Sequence, residues 1–452
     1  MRPRKYFVIL PLITALLLIP ACSLADSGIS LEDKVATKVA ATMNAGPVNE
    51  PSPVETQPTQ APTEPPGSVP QSANISLSFV GPDRNAYYWN DGMTAPLQLT
   101  TSADVDSTVI SGNLIALVRL TLPHAYTLDV ISTDGSNQRT LLTPENFAAF
   151  PHPTEVLTSG PFQVSWLRGT HLLAFSTLYL WDGPGMGQGN DLYLLDTDSG
   201  TWSTLLSVPE SFAWRYTYSP DYSRIAISRP QSVDIYNAGG SLVTGSVMSF
   251  DFVNTASEYA WVPTPVWSAD GSLLAAVIPP KEPWTENPAD SKIWVASADG
   301  QGGTVTSTSM TYFPSGFASI SPDLTKITYL VRTSPGENMY ALKSAGINNS
   351  GVIEAATGKI VSAPDWSPGS TSYLFIDQEK GLFLSEAGST PELVPAITDP
   401  QNIQWANNEY YVVSAGGANG WNLWLGKVNA TPQLIYSAFV QDGAWLNFDI
   451  DN

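Results

Sequence analysis

Cysteine is almost absent. Cys22 is the only one in 452 residues, so no disulfide can form within the chain. Charge is scarce as well: Asp, Glu, Lys and Arg make up 13% of the residues, against about 25% in an average soluble domain. Positive charge is the scarcer sign, with 20 Lys and Arg against 41 Asp and Glu and a formal net charge of −21. Such a surface repels phosphate backbones and anionic headgroups, which argues against nucleic acid partners and against direct electrostatic binding to a bilayer. Histidine is limited to His124, His152 and His171. Enzyme signatures are missing too: there is no G-x-S-x-G elbow, no H-E-x-x-H and no P-loop. Gly185, Gly187 and Gly189 sit in a Gly-rich loop with no helix after it, unlike a dinucleotide site.

What the chain does hold is a repeated phrase. It reads SWLRGTHLLAF at Ser165, YSPDYSRIAIS at Tyr218, WSADGSLLAAV at Trp267, ISPDLTKITYL at Ile320 and WSPGSTSYLFI at Trp366. Each phrase is a strand end, a tight turn and a second apolar strand. Third strands and further turns follow, as in YTLDVISTDGSNQRTLL from Tyr126 and KIWVASADGQ from Lys292. The pairs Asp134-Gly135 and Asp299-Gly300 are hairpin signals, because Gly tolerates the positive φ that such turns require. Self-similarity at roughly 40–55 residues with four short strands per repeat predicts an all-β propeller. Aromatics at 10%, including 14 Trp, suit short half-buried strands.

The recurring position aligns as Ile110, Trp166, Tyr218, Trp267, Ile320, Trp366, Trp405 and Trp445. The first repeat, from Ser76, lacks its first strand, and the last, GAWLNFDI from Gly443, supplies only a first strand. Joining them would close the ring and remove an exposed sheet edge. Eight blades are counted this way. The first two repeats match the phrase poorly, which leaves seven open.

The N-terminus reads as a targeting segment. Arg2, Arg4 and Lys5 precede an apolar stretch, Tyr6 to Ile19, too short for a normal transmembrane helix. Ile19-Pro20-Ala21-Cys22 resembles a bacterial lipobox, which implies cleavage before Cys22 and a lipid on its thiol. Removing residues 1–21 leaves 17 basic and 41 acidic residues, a net charge of −24. Residues 22–72 are a tether, Pro/Thr-rich from Pro47 to Pro70, expected to run as an extended spacer of about 3.1 Å per residue. The domain is placed at 73–452. These readings put the protein outside the cytoplasm, lipid-anchored to the bacterial membrane or cell envelope, as a monomer.

The repeats resemble the TolB-like (PD40, WD40-like) propeller family, whose signature is close to W-S-P-D-G-x-x-[IL]-[AF]. The match is clear at Tyr218, Trp267, Ile320 and Trp366 and degenerate elsewhere. The resemblance implies the propeller fold and a general expectation of protein or ligand binding. In a propeller, turns between strands one and two and between three and four lie on one face. Links between strands two and three, and between blades, lie on the other. The first set is short here, and Asp221, Asp270 and Asp323 read as turn formers whose carboxylates bond nearby amides. The second set is long and varied, which is where binding sits in repeat proteins. It includes the segments from Glu145, Tyr179, Pro279, Arg332 and Ser414. Trp181, Asp182, Trp284, Glu286, Trp421 and His152 are the candidate binding residues, since aromatic side chains with few rotatable bonds suit partner or sugar recognition.

The expected function is a membrane-anchored scaffold or adaptor that binds a protein, peptide or glycan through the long-loop face, without catalytic residues, metal or cofactor. The alternative is a carbohydrate-active lyase or hydrolase on uronic or plant-wall glycans. It would use a metal on the long-loop face, where His124 and His152 could meet, while His171 falls near the opposite face.

Overall fold

The computed structural model describes residues 74–451 except 122–123, 154–155, 182–185, 190, 208–213, 256–259, 287, 313–315, 335–337, 363, 418–419 and 440–445. The expected signal segment, lipidated Cys22 and tether therefore lie outside the described residues. Eight antiparallel sheets form the fold, seven of them four-stranded and one with a fifth strand. Seven span 105–142, 158–207, 215–249, 266–308, 318–358, 365–393 and 400–438 in chain order, as blades 2 to 8. Blade 1 joins the strands of 76–98 to the C-terminal strand Asn447–Asp451, which pairs antiparallel with Ser76–Val80. The count is eight, and the closing strand completes the first blade. Among the described residues helix is confined to one short segment, Pro144–Ala149, capped by Thr143. Among the described residues no helix is long and apolar enough to cross a membrane.

The strand sequences follow from their depth in each blade. Strand two is covered on both sides by neighbouring blades, so it reads as a near-continuous apolar run, such as Leu273–Ile278 or Ser372–Asp377. Strand four faces solvent and turns polar, as in Gly303–Thr308. First strands touch one another from blade to blade and so line the centre of the ring. The core lies between blades. One cluster joins Leu128 and Val130 of blade 2 to Trp166, Phe175 and Tyr193 of blade 3, and another joins Leu77 and Ile450 of blade 1 to Val412 and Leu423 of blade 8.

The recurring tryptophans stitch adjacent blades. Trp166 Nε1 donates to the Val109 carbonyl at 3.0 Å, and Trp405 Nε1 to the Asp365 carbonyl at 3.0 Å. Trp267 Nε1 reaches Thr217 Oγ1 at 3.1 Å, and Trp366 Nε1 reaches Thr328 Oγ1 at 3.2 Å. Every acceptor belongs to the preceding blade. Ile110 has no indole, and there the stitch is reversed: its backbone N–H donates to Asp449 Oδ2 at 2.8 Å, and Gly112 N–H to Asp451 Oδ2 at 2.9 Å. The closing strand thus grips blade 2 with two carboxylates.

Register corrects one alignment. In the other blades the recurring residue pairs with the second residue of strand two: Trp267 with Leu274, Ile320 with Ile327, Trp366 with Tyr373 and Trp405 with Tyr411. In blade 1 that second residue is Leu77, and its partner is Ile450. The equivalent position is therefore Ile450 and not Trp445, which lies outside the described residues.

Candidate functional site

The short-turn face is built from one recurring device. Ser219 Oγ donates to Asp221 Oδ1 at 2.6 Å, Ser268 Oγ to Asp270 Oδ1 at 2.6 Å and Ser321 Oγ to Asp323 Oδ1 at 2.6 Å. Each carboxylate also accepts the backbone N–H two residues on, from Ser223, Ser272 and Thr325. The residue after each Asp has a positive φ, at Tyr222, Gly271 and Leu324. Hydrogen bonds from Ser268 and Ser272 pull the Asp270 carboxyl down to about 2. At Asp323 burial pushes upward, but bonds from Ser321 and Thr325 outweigh it and bring the carboxyl to about 2. These acids act as turn formers, as their spacing predicts. His171 lies on this face and pairs with Asp198 at 2.7 Å.

The opposite face carries the long links. Trp181 follows strand two of blade 3 (Leu172–Leu180) and is 37% exposed, edge-on to Tyr179 at 5.1 Å. Trp284 lies in the link after strand two of blade 5 and is 47% exposed, edge-on to Tyr312 at 5.1 Å. Glu286 is exposed in the same link, while Asp182 lies outside the described residues. The link is ordered by its neighbour: Asn254 N–H donates to the Lys281 carbonyl at 2.9 Å and Asn254 Nδ2 to Glu282 Oε2 at 3.1 Å. Trp284 is thereby joined to the segment that carries exposed Phe252.

Two of the sequence candidates have other roles. Trp421 is not a loop residue. It lies in the strand Gly420–Lys427, is 9% exposed and packs in the core shared by blades 8 and 1. Its ring lies over Gly416, where an added Cβ would come within 2.2 Å. His152 is exposed, but its Nδ1 is 2.7 Å from the Pro153 carbonyl and its Nε2 3.2 Å from the Ala148 carbonyl. The segment before it folds inward through buried Phe147 and Phe150, and Phe150 packs on Trp202 at 4.5 Å.

Exposed large apolar residues sort by place. Most sit on fourth strands around the outer rim, such as Val305 and Leu434. A second group lies in the long links: Leu157, Trp181, Phe252, Trp284 and Phe439. Leu273, at the start of a second strand, and Val352, in the turn before a fourth strand, lie on the short-turn face. Leu157, Trp181, Phe252 and Trp284 run as an arc over blades 3 to 5. Leu157 and Phe252 escape a motif search because single apolar residues in loops carry no pattern.

A concavity of about 620 Å³ opens on the same face, away from that arc, where the first strands of blades 8, 1 and 2 begin. Arg84, Asp106, Gln401, Asn402 and Asn447 are among its lining residues. Burial pushes the Asp106 carboxyl up, and the nearby positive charge of Arg84 opposes it. Two more acids on first strands are raised by burial, Asp365 to about 7 and Asp449 to about 6. No group of three or more His, Cys, Asp or Glu able to hold a metal occurs among the described residues. His124 and His152 share the long-loop face, and His171 does not.

The ring defines the chain as an eight-bladed β-propeller. No family model matches it, and no curated protein does. Solved structures similar to it include a eukaryotic initiation factor, at 9% identity over 84% of this chain and 98% of that one, with a TM-score of 0.49. TolB from Acinetobacter baumannii is similar at 14% identity over 61% of this chain and 62% of that one, with a TM-score of 0.32. An oligogalacturonate lyase in complex with manganese is similar at 10% identity over 82% of this chain and 99% of that one, with a TM-score of 0.42. The chain spans 62% of the length of that TolB. These likenesses assign no activity to this chain.

Proposed function

We propose that this protein is an envelope adaptor, held outside the cytoplasm by a lipid on Cys22, that binds a protein or peptide partner with the arc over blades 3 to 5. The observation that carries the reading is the placement of exposed Trp181, Phe252 and Trp284 in the long links. Trp181 and Trp284 stand edge-on to tyrosines on the long-loop face, while the acids of the other face are engaged in their own turns. Rigid aromatics that already rest on a neighbour lose little freedom on binding, and such residues dominate interface energetics. The alternative, a lyase or hydrolase with a metal on the long-loop face, would draw on His124 and His152, which share that face.

The test is crosslinking capture from an envelope extract of the host with the full chain, beside a variant carrying Trp181→Ala, Phe252→Ala and Trp284→Ala. A partner held by the native chain and lost from the variant supports the reading. A partner held equally by both, or by neither, counts against it.

A further inference from the structure

We infer that the concavity between blades 8, 1 and 2 is a binding site for a neutral oligosaccharide. This goes beyond the adaptor reading and does not depend on it. Its volume of about 620 Å³ falls within the ~300–1,000 Å³ usual for small-ligand pockets. Val80, Val105 and Leu446 are buried and give it an apolar floor. The rim is polar and electrically balanced. Among the described residues its two charges, Arg84 and Asp106, are opposite in sign and close enough to influence one another. Arg119, the next cation along blade 2, is already bound to Asp104 and Asp129, each at 2.9 Å.

The rest of the rim is amide. Gln401 uses Nε2 on the Asp399 carbonyl at 3.3 Å, which turns its Oε1 to the role of acceptor. Asn402 uses Oδ1 on the Ile403 N–H at 3.0 Å, which turns its Nδ2 to the role of donor. Asn447 lies across from them, paired with Val80 on the closing strand. Donors and acceptors side by side match hydroxyl groups, which need both. An apolar floor beneath such a rim matches the C–H face of a pyranose ring. A phosphate or uronate would find Arg84 already neutralised by Asp106 in a protein of net charge −21, which opposes it.

The experiment is titration calorimetry of the full chain with maltohexaose, cellohexaose and chitohexaose, and with hexagalacturonate as the charged control. The expected result is saturable binding of a neutral hexamer, a loss of affinity of at least tenfold in Asp106→Ala and in Asn447→Phe, and no change in Trp181→Ala. Because the site straddles the closing strand, the bound sugar should also raise the unfolding temperature. A photoreactive form of that sugar should label residues 401–402 or 446–447, a readout that survives if a variant fails to fold. Failure of all three neutral hexamers to bind, labelling elsewhere, or equally tight binding of hexagalacturonate would overturn the inference. A failure here leaves the capture result on the other arc untouched.

Discussion

Replacing Asp365 by Asn should stabilise the protein at pH 8 and leave it almost unchanged at pH 4. Asp365 lies on the two-residue first strand of blade 7, and its carbonyl receives the Trp405 indole of blade 8. Burial raises its carboxyl from 3.8 to about 7. The folded protein therefore holds a proton between those limits that the unfolded chain has released. Stability falls as pH rises through that window, fully present below 3.8 and lost once pH passes about 7. At about 1.4 kcal/mol per pH unit the full effect is about 4 kcal/mol, an upper figure because some water reaches the site. Asn keeps the shape and carries no charge, so the variant should gain about 1–4 kcal/mol over wild type at pH 8. Urea unfolding of both proteins at pH 4, 6, 7 and 8 reads the difference directly. It should grow from pH 4 to 7 and then level off. A difference that does not change with pH, or a variant less stable at pH 8, would refute the argument that a desolvated carboxylate sits in the ring.

Two further expectations concern how the ring is held. Trp166→Phe removes the Nε1 bond to the Val109 carbonyl that joins blades 2 and 3, so unfolding should cost about 0.5–1.5 kcal/mol less; chemical denaturation checks it. Deleting residues 446–452 exposes the inner edge of Ser76–Val80 and removes buried Leu446, Phe448 and Ile450. At about 2 kcal/mol for each side chain the loss approaches the whole stability of a typical domain. The truncated chain should lose cooperative unfolding and elute as aggregate in size exclusion, whereas a folded monomer would show that the closing strand is dispensable.

Much of the fold is legible in the sequence because each blade repeats the same physical problem. An apolar run buried on both sides must end in a tight turn, and Ser-x-Asp solves that turn locally at Ser219, Ser268 and Ser321. Closure is legible from the missing strand at one end and the spare strand at the other. The register of that strand is not, because Ile450 has no indole to mark it and Trp445 draws the alignment five residues early. Trp421 looks like a loop residue because glycines precede it, yet Gly416 and Gly420 belong to the paired strands themselves, and Gly416 makes room for its ring. The mouth of the ring is hidden for another reason. Arg84, Asp106, Gln401 and Asn447 come from distant segments with no shared motif, and only closure brings them together. The indole stitches escape notice likewise, since their acceptors are ordinary carbonyls and threonines of the preceding blade.

The central claim is that binding belongs to the long-loop face. Hydrogen exchange of the full chain, alone and with its captured partner, tests it most directly. The account predicts slowed exchange in the segments around Leu157, Trp181, Phe252 and Trp284, with the turns at Asp221, Asp270 and Asp323 unchanged. Protection of those three turns, with the long links exchanging as before, would contradict it.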